Sequence, residues 1–236
     1  MTVIVIPARL GSTRLPRKAL LDICGKPMIQ RVYENAMKTG LPVYVATCDD
    51  EIYTAVENFG GKAIMTRADH TCGTDRIIEA VQNINADKII NIQGDEPLIN
   101  IECINRLETA LDEAPMASLM VKIDRGSAED PNLVKVITDR KGFAMYFSRA
   151  KIPYERHELN GDYFGHIGVY AYTKDFLIKY GNMEKTPYEQ CESLEQLRVL
   201  ENGYKIKMLQ VSEKPLGVDT TEDYRKVCDE FEKRNI

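Results

Sequence analysis

The chain has 236 residues, 44% of them hydrophobic and 28% charged, which suits a globular protein with a sizeable core and excludes a fibrous or disordered one. A formal net charge of −5 excludes the basic domain that nucleic-acid binders usually present, so a local cluster of cations points to a small anion. The six cysteines form no C-x-x-C and no Cys/His zinc spacing. No apolar run reaches membrane-spanning length and no cationic leader with a cleavage site is evident, so reduced thiols and a cytoplasmic location are expected.

The first half alternates short β-rich runs with amphipathic helical patterns. Strand VIVI is followed by a helix from Met28 to Met37, strand VYVAT by a helix from Asp49 to Asn58, and strand KAIM by a helix from Thr74 to Asn83. Strand KIINI and a helix from Glu102 to Leu111 complete the series. This rhythm predicts an α/β fold with a mostly parallel, Rossmann-like sheet flanked by helices, and the unalternating apolar strands fit burial on both faces.

From about Met116 to Tyr172 the pattern changes to MASLMVKI, LVKVITD, GFAMYFSR and YFGHIGVYAYT, with a turn at DRKG. We read 116–172 as an embedded β-rich subregion of one domain spanning 1–236. It carries more apolar strand than one sheet needs, so it is the expected dimerisation surface. Helical patterns return from Lys174 and from Tyr188, then strand KIKMLQV, then a last helix beginning near Thr220.

Ligands of parallel sheets bind at the carboxyl ends of the strands, where the loop PARLGSTRLPRK follows the first strand. Gly11 and Ser12 offer close backbone approach and donors, and Arg9, Arg14 and Lys18 offer charge for a polyphosphate. The loop matches neither the Walker pattern nor G-x-G-x-x-G, which disfavours an NAD-dependent dehydrogenase. QGDEP places Gln93, Gly94 and Asp95 at the end of a second inner strand, and GVDTTEDY places Asp219 just before a helix that Thr220 and Asp223 are positioned to cap. Two carboxylates facing a basic loop suggest a divalent cation whose shell is completed by substrate phosphates.

Taken in order, PARLGSTRLPRKAL, GKPMIQRVYE, DHTCGTDRI, NIQGDEPLI, HIGVYAY, ESLEQLRVLENGYKI and GVDTTEDY closely resemble the 3-deoxy-manno-octulosonate cytidylyltransferases, from Val3 to about Val227. The resemblance implies a nucleotide-diphospho-sugar transferase fold, a homodimer and Mg²⁺. It also implies an enzyme that joins CMP from CTP to the anomeric hydroxyl of 3-deoxy-manno-octulosonate (Kdo), for lipopolysaccharide biosynthesis. Arg14, Lys18, Asp95 and Asp219 would be catalytic, the two aspartates holding the metal. Ala8, Arg9, Leu10, Gly11, Ser12, Arg14, Lys18, Gly73 and Arg76 would bind the nucleotide, with Arg76 at the cytosine edge.

For the sugar the resemblance implies Gln93, His166, Glu192, Glu195 and Gln196. If one helix carries the last three, they share a polar sector opposite Leu194, Leu197 and Leu200. Arg17 and Gly165 stand where many relatives carry Gly and Arg, respectively. The 8-amino analogue of Kdo is an alternative substrate, CMP-sialic acid synthesis a further one, and a non-catalytic nucleotide-binding regulator the reading from another class.

Overall fold

The computed structural model describes residues 1–11, 15–70 and 72–234. In chain order these form β1 (Thr2–Ala8), a 3₁₀ turn (Lys18–Leu20), β2 (Asp22–Ile23), β3 (Lys26–Pro27), α1 (Met28–Met37), β4 (Val43–Thr47), α2 (Asp50–Asn58), β5 (Ala63–Met65), α3 (Gly73–Gln82), β6 (Lys88–Asn91) and α4 (Ile101–Ala110). There follow β7 (Met116–Ile123), a second 3₁₀ turn (Ser127–Glu129), β8 (Lys135–Thr138), β9 (Ala144–Ser148), β10 (Tyr163–Thr173), α5 (Lys174–Gly181), α6 (Pro187–Glu192), α7 (Gln196–Glu201), β11 (Ile206–Val211) and α8 (Thr221–Arg234). The chain separates into two compact units, one of 1–105 with 215–236 and one of 106–214.

In the first unit β6, β1, β4 and β5 lie side by side, all parallel. β1 is buried at every position, and Val3, Ile4, Val5 and Ile6 have no exposed surface, as a strand covered on both faces requires. Helices α1, α2 and α3 bury one face each, through Met28, Ile29, Val32 and Ala36, through Ile52 and Val56, and through Ile77, Ala80 and Val81. Because the strands are parallel, the loops after β1 and β6 open on one edge of this sheet. The short β2–β3 hairpin, turning through Cys24 and Gly25 at positive φ, has no counterpart in the sequence reading.

In the second unit β11 and β7 are parallel, whereas β7–β10, β10–β8 and β8–β9 are antiparallel. The register of β10 on β7 slips between Ile167 and Tyr170. Six of the eight residues of β7 are buried. The exposed apolar side chains of the expected dimerisation stretch are Met145 and Tyr154, so they lie off β7.

The pattern from Tyr188 is two helices rather than one. Ser193 adopts φ 53°, which no continuing α-helix tolerates, and it ends α6 before α7 begins. Thr186 and Glu189 form a reciprocal cap at the start of α6. Glu189 also pairs with Arg198 of α7, and both are buried. The single polar sector expected for Glu192, Glu195 and Gln196 is therefore not formed: Glu192 ends α6, Glu195 stands at the N-cap position of α7 without a side-chain cap, and Gln196 is buried.

Candidate active site

The first unit contains a cavity of about 340 Å³ lined by the end of β1 and the loop after it, the start of α3, the loop after β6 and the segment before α8: Ala8, Lys18, Gly73, Arg76, Asp95 and Asp219 among them. Arg9, Gly11 and Gln93 line it too. Ser12 and Arg14 lie outside the described residues. Gly94, in the turn after β6, lets the chain pass close to β1: a Cβ there would stand 3.0 Å from the carbonyl oxygen of Pro7, so any larger residue would push the two apart. That approach draws the QGDEP turn against the end of β1.

Lys18 is the centre of the site. Its Nζ donates to Asp95 Oδ2 at 2.5 Å, to the Val218 carbonyl at 2.8 Å and to Asp219 Oδ1 at 3.3 Å. Asp95 and Asp219, 124 positions apart (219 minus 95), thus address one cation-sized point. Asp219 is held there by the start of α8. The Thr220 hydroxyl accepts from Asp223 N, and the Asp223 carboxylate accepts from the backbone of both Asp219 and Thr220, which is the expected cap. These contacts also hold the Asp223 carboxyl below its ordinary range, against the opposing effect of burial.

Three features of the site were not read from the sequence. Asp49 occupies the N-cap position of α2 yet makes no side-chain cap; its Oδ2 accepts from Leu10 N at 2.8 Å and so anchors the basic loop to the end of β4. Its place after a third parallel strand was the available signal. Arg17 adopts φ 57°, the left-handed region where glycine is unstrained, and its guanidinium turns to Glu51. Cys72 caps α3, its Sγ accepting from Asp75 N at 3.5 Å.

Arg76 is buried at 3% exposure, and its Nη1 donates to Thr66 Oγ1 at 2.5 Å and to the Arg67 carbonyl at 3.3 Å. It reaches the cavity as a held group rather than a flexible one.

The remaining sugar candidates lie in the second unit. His166 Nε2 is 2.9 Å from Ser118 Oγ, which also lies 3.2 Å and 2.9 Å from the carbonyls of Ile167 and Val169 at the slip in β10. The single hydroxyl proton serves those carbonyls, so the serine oxygen accepts from a neutral Nε2–H. His166 keeps some exposed surface, yet Phe147 and Tyr170 pack beside its ring, and burial lowers its pKa to about 3. Glu192 accepts from Ser148 Oγ at 2.6 Å and from Arg149 N at 2.9 Å. Gly165 is walled by Ile123 and Leu133, each 3.1 Å from where its Cβ would stand.

Among the described residues no group of three or more His, Cys, Asp or Glu could hold a metal ion by itself. All six cysteines are free, and no helix among the described residues is long and apolar enough to cross a membrane.

A parallel sheet whose strand ends gather a basic loop and paired carboxylates around one cleft defines a nucleotidyltransferase of the α/β class. Comparison with known proteins narrows this. The family model for cytidylyltransferases matches residues 3–206. A 3-deoxy-manno-octulosonate cytidylyltransferase of Fusobacterium nucleatum is 50% identical over 238 residues, covering 98% of this chain and 97% of that one. The Escherichia coli protein of the same name is 46% identical, covering 95% and 94%. The solved structure of CMP:2-keto-3-deoxy-manno-octonic acid synthetase complexed with CTP superposes with a TM-score of 0.95 at 45% identity, over 99% of both chains. The chain belongs to the 3-deoxy-manno-octulosonate cytidylyltransferase family.

Proposed function

We infer that this chain transfers CMP from CTP to the anomeric hydroxyl of Kdo, releasing pyrophosphate, as the names of its relatives describe. The observation that carries the reading is the convergence of Lys18, Asp95 and Asp219 in the cleft that the basic loop borders. The anomeric oxygen forms the new bond to the α-phosphorus while the bond to the α,β-bridging oxygen breaks. The pyrophosphate leaves with that bond's electron pair, and the hydroxyl proton passes to water.

No protein nucleophile is required, so positioning and charge supply the rate. Lys18, with Arg9 and Arg14, neutralises the triphosphate. Asp95 and Asp219 fit Mg²⁺: both are hard oxygen donors brought together at Lys18, they would leave the rest of the shell to water and phosphate, and with the ion held between them Lys18 would turn to the phosphates. When bound, the ion would draw charge from the α-phosphate and the departing pyrophosphate.

Arg76 would face the cytosine edge. A guanidinium only donates, so aimed at N3 it would meet an acceptor in cytosine and an N–H donor in uracil and favour CTP over UTP, whereas aimed at O2, an acceptor in both bases, it would not. Gln93, in the cavity, is the sugar candidate of the first unit; His166, Glu192, Glu195 and Gln196 are those of the second. The working form would be a cytoplasmic homodimer, which light scattering at micromolar concentration checks. Pyrophosphate release from each of four nucleoside triphosphates with Kdo, 8-amino-Kdo and sialic acid tests the reading. Turnover is expected with CTP and Kdo, and release with none of the pairs would overturn it.

A further inference from the structure

Arg76 lies on α3, and both acceptors that hold its Nη1 lie on the segment leaving β5: Thr66 Oγ1 and the Arg67 carbonyl. Thr66 is fixed by the sheet, since its N and its hydroxyl donate to the Thr47 carbonyl at 2.8 Å and 3.1 Å. Arg67 is one residue further on. Its N–H donates instead to the Glu79 carboxylate, 3.2 Å from each oxygen.

Glu79 stands three residues after Arg76 on the same helix, so the two side chains rise from one face. Between them they grip both backbone polar groups of Arg67, one taking the N–H and the other donating to the C=O. His70 Nε2 contacts the same Glu79 oxygen, and Arg67 Nε lies 3.7 Å from it, so the 66–70 loop folds around this carboxylate. Nothing in phosphate or metal binding calls for this arrangement.

We propose that Glu79, supported by His70, is the positioning residue that sets the Arg76 guanidinium and through it the choice of nucleobase. The proposal rests on the cytidylyltransferase reading above. Glu79 touches no reacting atom; it fixes the carbonyl against which Arg76 is braced. A loose Arg67 carbonyl leaves Nη1 on Thr66 Oγ1 alone, so the guanidinium can pivot about that one contact, and a pivoting guanidinium distinguishes less well between an accepting N3 and a donating one.

The test measures pyrophosphate release from CTP and from UTP with Kdo as acceptor, in Glu79→Ala, Glu79→Gln, His70→Ala and Arg76→Met, after thermal melts establish that each is folded. For Glu79→Ala we expect KM for CTP to rise about tenfold, kcat to stay within about twofold, and the preference for CTP over UTP to fall about tenfold, the size of effect that follows when a charged hydrogen-bond acceptor is removed. Glu79→Gln keeps an oxygen that accepts from Arg67 N and should retain most of the preference. His70→Ala should move the same quantities the same way by less.

Unchanged KM and preference in Glu79→Ala, or an equal loss of kcat with both nucleotides, would overturn the proposal. Arg76→Met separates the two levels. If it keeps the wild-type preference, Arg76 does not read the base and the reading beneath the proposal fails. If it loses the preference while Glu79→Ala keeps it, only the role of Glu79 fails.

Discussion

The loops after β1 and β6 and the start of α8 can be set beside the α6–α7 region of the second unit. Both carry family motifs. In the first, positions far apart in sequence meet because parallel strands send every following loop to one edge, so order along the chain translates directly into placement. In the second, placement depends on one residue in the left-handed region and one buried ion pair, and neither leaves a trace in hydrophobic periodicity. A site built on sheet topology is legible; one built on a helix break is not.

The largest effect that would sharpen this contrast is expected at Lys18. Lys18→Ala should lower turnover by roughly 10²–10³-fold, the loss typical when a charge-stabilising group leaves a transition state. Thermal melts should change little, because Lys18 serves the cleft and not a core. A large fall in melting temperature with near-normal turnover would make the Lys18 cluster a structural clamp and break the comparison.

Arg198 should behave in the opposite sense. Arg198→Met leaves Glu189 buried without its cation, which costs about 3–5 kcal/mol by chemical denaturation. Replacing both partners with apolar residues should recover part of that loss. A cost below about 1 kcal/mol, the size of a surface pair, would mean that the ion pair does not fix the junction of α6 and α7.

A third effect is a pH dependence of stability that belongs to the second unit. The folded pKa of His166, about 3, lies below its ordinary value of 6.5, so between these values the unfolded chain binds the extra proton. Stability should therefore fall as pH drops from 6.5, with a slope of up to about 1.4 kcal/mol per unit. Glu34 and Glu201 also have lowered values, but their contribution is lost only below the ordinary carboxylate value of 4.5. Denaturant melts between pH 6.5 and 4.5 should show the slope in wild type and not in His166→Gln; equal slopes would refute the neutral imidazole.

The smallest effect is expected at Arg17. Arg17→Gly relieves a left-handed backbone while giving up only an exposed pair with Glu51, so stability should hold or rise slightly and turnover should not change. A tenfold loss of turnover would place Arg17 in the phosphate site.

These contrasts explain which parts of the structure the sequence carried. Helices 28–37, 50–58 and 73–82 follow the apolar periodicity nearly residue for residue, since each buries one face on a parallel sheet. The Thr220 cap was visible because a Thr with Asp three residues on is a local signature. The roles of Asp49 and Glu79 were hidden because each bonds a backbone amide distant in sequence, and no local pattern encodes the partner. The shared polar sector of Glu192, Glu195 and Gln196 does not form, for the reason given by Ser193. A single αL residue redirects the chain without altering its hydrophobic pattern.

Asp95 and Asp219 are expected to act as one centre for nucleotidyl transfer. Pyrophosphate release from CTP and Kdo, titrated with Mg²⁺, in Asp95→Asn, Asp219→Asn and the double variant tests this. Each single variant should fold normally, need far more Mg²⁺ and lose turnover more than CTP affinity, and the double should be little worse than either. Losses that multiply, or full wild-type turnover in excess chelator, would contradict a shared centre.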